Sequence, residues 1–370
     1  MGVLSGWRIV EMAGLGPAPF CGMLLADHGA EVIRIVRPGQ SSVLPIDPRF
    51  DLLNRGRVSV QLDLKQPQDR AQLQALLTGA DALIEGFRPG VMEKLGFGPE
   101  AVAAFNPKLV YGRMTGWGQS GPMAHSAGHD LNYAAISGAL AAIGPADRPP
   151  PPPLNLVADF GGGAMLLAFG LLAALLEAQR SGLGQVVDAA MCDGTAMLMT
   201  MMQGLRAGGA WSLERGANML DGGTPFYACY ETSDGKYVSV APLEPQFYAE
   251  MLSRLGLADD ADFARQHDRA TWPRMRARLT AIFAAQTRDH WQAHFAGSDA
   301  CVVPVLDMDE APRFAHNNHR HNFAQVDGIA QSAAAPKFSR TPAALPGSVA
   351  LAPVPAVDIL ARWGIEKTPR

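Results

Sequence analysis

Everything that marks a secreted, metal-stapled or nucleic-acid-binding protein is scarce in this chain. Only four of its 370 residues are cysteine (Cys21, Cys192, Cys229 and Cys301), far apart and without a CxxC spacing. That speaks against a disulfide framework or a zinc cluster and fits reduced thiols in a cytoplasmic protein, with no metal expected. Charged residues make up just 18%, the formal net charge is −4, and the Lys and Arg residues are scattered. Neither nucleic acid nor an anionic membrane is therefore an expected partner. The uncharged run Phe160–Leu176 has only 17 residues and carries four glycines. A spanning helix needs about 20 apolar residues, so a buried core helix is expected there. No signal peptide is visible, because the N-terminus runs straight into a strand pattern at Trp7-Arg8-Ile9-Val10-Glu11.

What is present is a large apolar fraction, 48%, in a chain long enough for two domains. The first half alternates strands and helices. Candidate strands are 8–12, 31–36, 58–62, 82–86 and 109–114, with 66–77 the clearest helix between them and a further strand at 185–190. Short β-rich runs separated by helices imply an α/β fold with a parallel, Rossmann-like sheet. A Met-rich helix is expected over 191–208, its methionines packed as core. Beyond Gly222-Gly223 the pattern becomes α+β: a hairpin around Ser233-Asp234-Gly235, helices near 244–255, 272–286 and 289–295, and a strand at 301–306. The expected organisation is a large domain over 1–190, a connection over 191–224, a small domain over 225–312 and a segment over 313–370 returning to the large domain. The five prolines 149–153 read as a stiff connector inside the large domain.

A Rossmann-like start invites a nicotinamide cofactor, but the glycine fingerprint is broken. Gly14-Leu15-Gly16-Pro17-Ala18-Pro19 has Pro19 where the third glycine belongs. At the end of the second strand, where an acidic residue would hold a ribose hydroxyl, stand Arg34 and Arg37. Two guanidinium groups suit a phosphate monoester, such as the 3′-phosphate of coenzyme A.

The richest local chemistry lies downstream. Gly128-His129-Asp130 sets an imidazole beside a carboxylate, and no charge follows from Leu131 to Gly144. Asp159 stands alone in Leu156-Val157-Ala158-Asp159-Phe160-Gly161-Gly162-Gly163. A two-base proton transfer needs such a pair. The ordinary alternatives are an N-cap for the aspartate and a satisfied core residue for the histidine.

These residues carry a resemblance. Gly14-Leu15-Gly16-Pro17, Leu62-Asp63-Leu64-Lys65, Glu85-Gly86-Phe87-Arg88-Pro89-Gly90, Gly128-His129-Asp130 and Asp159-Phe160-Gly161-Gly162 occur in the order found in one family. So do Asn218-Met219-Leu220-Asp221-Gly222-Gly223 and Glu244-Pro245-Gln246-Phe247-Tyr248. The chain resembles the α-methylacyl-CoA racemases of the family III CoA-transferase superfamily, and Gly-His-Asp is what separates the racemase look from the transferase look. One departure is Val36, where an acidic residue is usual before Arg-Pro.

The resemblance implies a Rossmann-type large domain and a small domain, with two chains threaded into an interlocked dimer. It implies interconversion of (2R)- and (2S)-2-methylacyl-CoA thioesters through an enolate, with coenzyme A part of the substrate and no separate cofactor. His129 and Asp159 would be the acid–base pair, Asp130 would orient His129, and Glu244 would hold its tautomer. Helix N–H groups at Gly161-Gly162-Gly163 are candidates for the enolate oxygen. CoA would lie along Arg37, Gln61, Leu62, Asp63, Leu64 and Arg88. Gly128, Leu131, Asn132 and Tyr133 would border the reacting end. The alternative is CoA transfer between carboxylic acids, with Asp159 as nucleophile forming a mixed anhydride.

Overall fold

A computed structural model of the chain describes residues 2–39 and 46–365. They form two compact units, one of residues 2–138, 153–199 and 315–365, the other of residues 139–152 and 200–314.

The larger unit is built on six strands: β1 (Arg8–Met12), β2 (Glu31–Val36), β3 (Val58–Gln61), β4 (Ala82–Glu85), β5 (Val110–Thr115) and β6 (Val186–Ala190). All neighbours pair in parallel, in the order β3-β2-β1-β4-β5-β6. The expected α/β class with a parallel sheet is what the chain adopts. The strands form because runs such as Ile9-Val10 and Val32-Ile33 are buried on both faces, as parallel sheets require. The order reverses between β1 and β4, so the loops leaving those strands diverge and open a crevice at their carboxyl ends.

The helices Pro67–Thr78 and Ala356–Arg362 cover one face, placing Leu73, Leu76, Ile359 and Trp363 in a core with Val10, Ile33 and Leu83. Near the C-terminus, Val354 bridges to Val60 at the sheet edge and its N–H donates to the Ser59 carbonyl at 2.8 Å.

The expected core helix differs from its expectation in two ways. Residues Leu156–Ala164 wind as a π-helix, with the Phe160 N–H donating to the Asn155 carbonyl, and continue into the α-helix Met165–Ser181. This helix is buried along Leu167, Leu171 and Leu175. Its other face leaves Met165, Phe169 and Leu176 at 50%, 71% and 61% exposure, so it is a core helix on one side only. By length and composition alone, Leu156–Ser181 would suffice to cross a membrane.

The Met-rich stretch is two helices, Met191–Leu198 and Thr200–Ala207, rather than one. Gly194 and Thr195 press backbone against Gly162; Met191 is buried as expected, but Met197 and Met201 are exposed, which corrects the core reading for that part of the stripe.

The smaller unit has an antiparallel sheet of Ala228–Glu231, Tyr237–Val240 and Val302–Pro304. The hairpin turns at Gly235, whose φ of 71° is a conformation that suits glycine. In the helix Trp272–Ala284, Met275, Leu279 and Phe283 repeat every fourth residue and are fully buried with Phe226 and Tyr230.

Candidate active site

A cleft of about 750 Å³ lies at the sheet's switch point. One wall is the loop from Gly14 to Pro19 after β1, the other the loop from Gly86 to Pro89 after β4. A buried carboxylate stands near the end of each strand, and the second of them anchors its loop. Glu11 pairs with Arg57 beneath the first loop. Glu85 accepts the Phe87 N–H at 2.8 Å and Arg113 Nε at 2.9 Å beneath the second. Burial raises the Glu85 carboxyl above its usual range, against the pull of Phe87 and Arg113.

His129 and Asp159 line this cleft together, with Arg88, Gly128 and Tyr133. His129 occupies the N-cap of the helix Asp130–Ile136, where its own N–H donates to Asn132 Oδ1 at 3.1 Å. Its side chain is exposed to the cleft. Asp159 lies within the π-helical segment, whose N-cap is Asn155, so the ordinary N-cap reading of this aspartate does not hold. Its carboxyl is pushed up to about 6, first by burial and then by the Asp130 charge. The Asn155 side chain and His129 pull the other way.

Asp130 sits behind the cleft, 5% exposed. Its Oδ2 accepts the N–H groups of Ala158 and Asp159, both at 2.8 Å, while Oδ1 is buried without a hydrogen-bond partner among the described residues. Its hydrogen bonds are thus to the Asp159 backbone, not to the His129 ring it was expected to orient. The glycines expected to offer N–H groups to an enolate are interior to a helix rather than at its start. Gly162 and Gly163 are buried, and a Cβ on Gly162 would meet Thr195 N at 2.6 Å. Those donors are committed to helix bonding and packing.

Arg37 and Gln61 line a second, smaller cavity of about 250 Å³ with Arg34, Ser59 and the segment Val349–Pro353. Gly14, Leu15, Asp51 and Asn54 border both cavities. Of the remaining expected contacts, Arg88, Gly128 and Tyr133 line the first cleft, whereas Leu62, Asp63, Leu64, Leu131 and Asn132 line neither cavity. Leu62 is buried in the core, Leu64 packs against it, and Asp63 caps the turn into Pro67–Thr78 through Lys65 N–H at 3.1 Å. Leu131 and Asn132 are exposed on the short helix after His129. Glu244 belongs to the smaller unit, exposed, immediately ahead of the helix Pro245–Arg254.

Sequence reasoning missed Asn54. Its Oδ1 accepts Arg57 Nη2 at 3.0 Å and its amide donates to Asp51 at 2.7 Å, linking the buried Glu11–Arg57 pair to the junction of the cavities. No motif signals it, because only the tertiary fold brings a short turn at Leu52–Asn54 beside Gly14. Among the described residues, no group of three or more His, Cys, Asp or Glu side chains is arranged to hold a metal.

A doubly wound parallel sheet with a cleft at its switch point, lined by His129 and Asp159, defines an α/β protein with a ligand-sized site at the carboxyl ends of its strands. The chain belongs to CoA-transferase family III, whose model matches residues 4–357. It is 47% identical over 343 residues to alpha-methylacyl-CoA racemase of Mus musculus, covering 92% of this chain and 88% of that one. With alpha-methylacyl-CoA racemase of Homo sapiens it shares 45% over 322 residues, 86% and 82% of the two chains. Among solved structures, a CAIB/BAIF family protein from Brucella suis superposes with a TM-score of 0.81 at 25% identity, covering 98% and 99%.

Proposed function

We propose that this protein epimerises 2-methylacyl-CoA thioesters at C2, His129 and Asp159 serving opposite faces of the carbon. The observation that carries the reading is the shared cleft: both side chains line it, and the Asp159 carboxyl is pushed up to about 6. A group poised near the working pH populates both its acid and its base forms, as a residue that removes a proton in one direction and returns it in the other must. The thioester α-proton is only weakly acidic, so the enolate oxygen needs preorganised donors. The Asp130 N–H at the first position of the helix Asp130–Ile136 replaces the 161–163 glycines as the candidate, since the Asn132 N–H already donates to the His129 carbonyl at 2.8 Å. CoA enters as part of the substrate, and the proposed proton transfer calls for no further cofactor.

Arg88 on the cleft and Arg37 in the adjoining cavity are the proposed phosphate contacts, with Gln61 beside Arg37. The exposed apolar face of Met165, Phe169 and Leu176 supports a homodimer that covers it.

The test is incubation of one epimer of a 2-methylacyl-CoA in D₂O with no carboxylate acceptor. Epimerisation with deuterium at C2 is expected. Turnover that appears only when a second carboxylic acid is added would hand the site to CoA transfer, with Asp159 attacking the thioester.

A further inference from the structure

Two aromatic side chains beside the cleft have polar atoms that the proposed chemistry does not use. Trp117 follows β5, and Tyr133 lies in the helix Asp130–Ile136. Their rings meet edge to face, with centroids 4.7 Å apart and planes at 82°. Each ring carries one polar atom, and both atoms are spent on the segment leading into His129. The Trp117 indole N–H donates to the Ser126 carbonyl at 3.2 Å, and the Tyr133 hydroxyl donates to the Gly128 carbonyl. The backbone is in turn pressed onto the rings. A Cβ on Gly128 would stand 2.8 Å from both, and one on Gly116 would stand 2.1 Å from Tyr133. Burial pushes the Tyr133 phenol up to about 12, with the Asp159 charge adding to the effect, so the hydroxyl keeps its proton at neutral pH.

We infer that Trp117 and Tyr133 are positioning residues, a two-point clamp that grips the carbonyls of Ser126 and Gly128 and so fixes where His129 stands over the cleft. Ring packing alone would need neither hydroxyl nor indole N–H. Here both are directed at the three residues ahead of the base, and Gly128 leaves that backbone no slack. A base displaced by about 1 Å loses on the order of 10²-fold in rate, so a clamp at this point matters to turnover more than to folding. The inference rests on the two-base reading.

The experiment compares Tyr133→Phe and Trp117→Phe, which keep an aromatic ring and delete the donor. Deuterium wash-in from each epimer is measured separately, alongside KM and a melting curve. Expected is a loss of about tenfold or more for the epimer whose proton faces His129, with the other epimer within about twofold and KM little changed. Equal loss on both faces, no loss on either, or loss confined to the Asp159 face overturns the clamp. A second readout is independent of turnover. The His129 imidazole NMR signals, identified by their disappearance in His129→Gln, should shift in Tyr133→Phe, and unmoved signals overturn the clamp. If the unmodified enzyme exchanges no C2 proton, the two-base reading has failed, and the imidazole signals decide the clamp alone.

Discussion

One Asp130 oxygen accepts the backbone N–H of Asp159 and of Ala158 before it, each at 2.8 Å, so the first acid holds the main chain of the second. The same carboxylate also raises the Asp159 pKa by like-charge repulsion. Asp130→Asn separates these effects, since an amide oxygen still accepts both N–H groups while the charge is gone. Asp159 should then ionise at lower pH. The acid limb of kcat/KM in the direction where Asp159 is the base should move down, and folding should stay near normal. Asp130→Ala also removes the acceptor and should cost about 1–3 kcal/mol of stability. An unmoved acid limb in Asp130→Asn would show that burial alone sets the Asp159 pKa.

Gly16 is the other wall of that carboxylate. Its φ is 66°, and a Cβ there would stand 3.1 Å from Asp159 Oδ2. Gly16→Ala combines backbone strain of about 1–3 kcal/mol with a push on the reacting group. Gly6 is the comparison, with a φ of 96° and open space where its Cβ would go. Both alanine variants should melt earlier. Only Gly16→Ala should lose proton exchange, and chiefly on the Asp159 face. Matched exchange losses in the two would remove Gly16 from the site.

Much of this architecture was legible, and the reasons are local. β1 and β2 fall where expected because buried β-branched runs stop at Gly or Pro. The joint presence of His129 and Asp159 in one cleft was readable because each is a titratable group at the edge of a long uncharged stretch. The π-helix at Leu156–Ala164 was not, since three consecutive glycines read as a helix start or a break. Gly162 is there because the Gly194–Thr195 backbone packs on it. Asn54 and the Val349–Pro353 wall escaped for a related reason. Their places depend on non-local contacts, Arg57 for one and a single-residue bridge at Val354 for the other, and neither leaves a period in the sequence.

Arg37 and Arg88 line different cavities, so their substitutions should separate by substrate. Arg37→Ala should raise KM for CoA esters about tenfold or more while leaving pantetheine esters, which lack the nucleotide, near their starting value. Arg88→Ala, on the cleft that holds the acid–base pair, should affect both. Steady-state KM for the two ester classes checks this, and equal effects of Arg37→Ala on both would take Arg37 out of the nucleotide site.

A poised acid also bears on folding. Asp159 is raised to about 6 from an ordinary 3.8, by burial and by Asp130. The protonated carboxyl therefore suits the fold better than the carboxylate. The stability it contributes is full below about pH 3.8 and is lost as pH rises through about 6. At neutral pH the wild-type protein carries a penalty that a neutral side chain of the same shape lacks. Asp159→Asn should accordingly fold more tightly than wild type at about pH 7.5, by about 1 kcal/mol once solvent screening of a half-buried group is allowed for. Its epimerisation should fall on the order of 10²–10⁴-fold, the usual worth of a positioned acid–base group. Denaturant melts of both proteins should show the gap shrinking steadily as pH falls toward about 4. A gap that persists unchanged at low pH would mean that the amide gains from packing or hydrogen bonding instead. The absence of any gap at neutral pH would mean that the Asp159 carboxyl is not held up, and the proposed acid–base pair would lose its main electrostatic support.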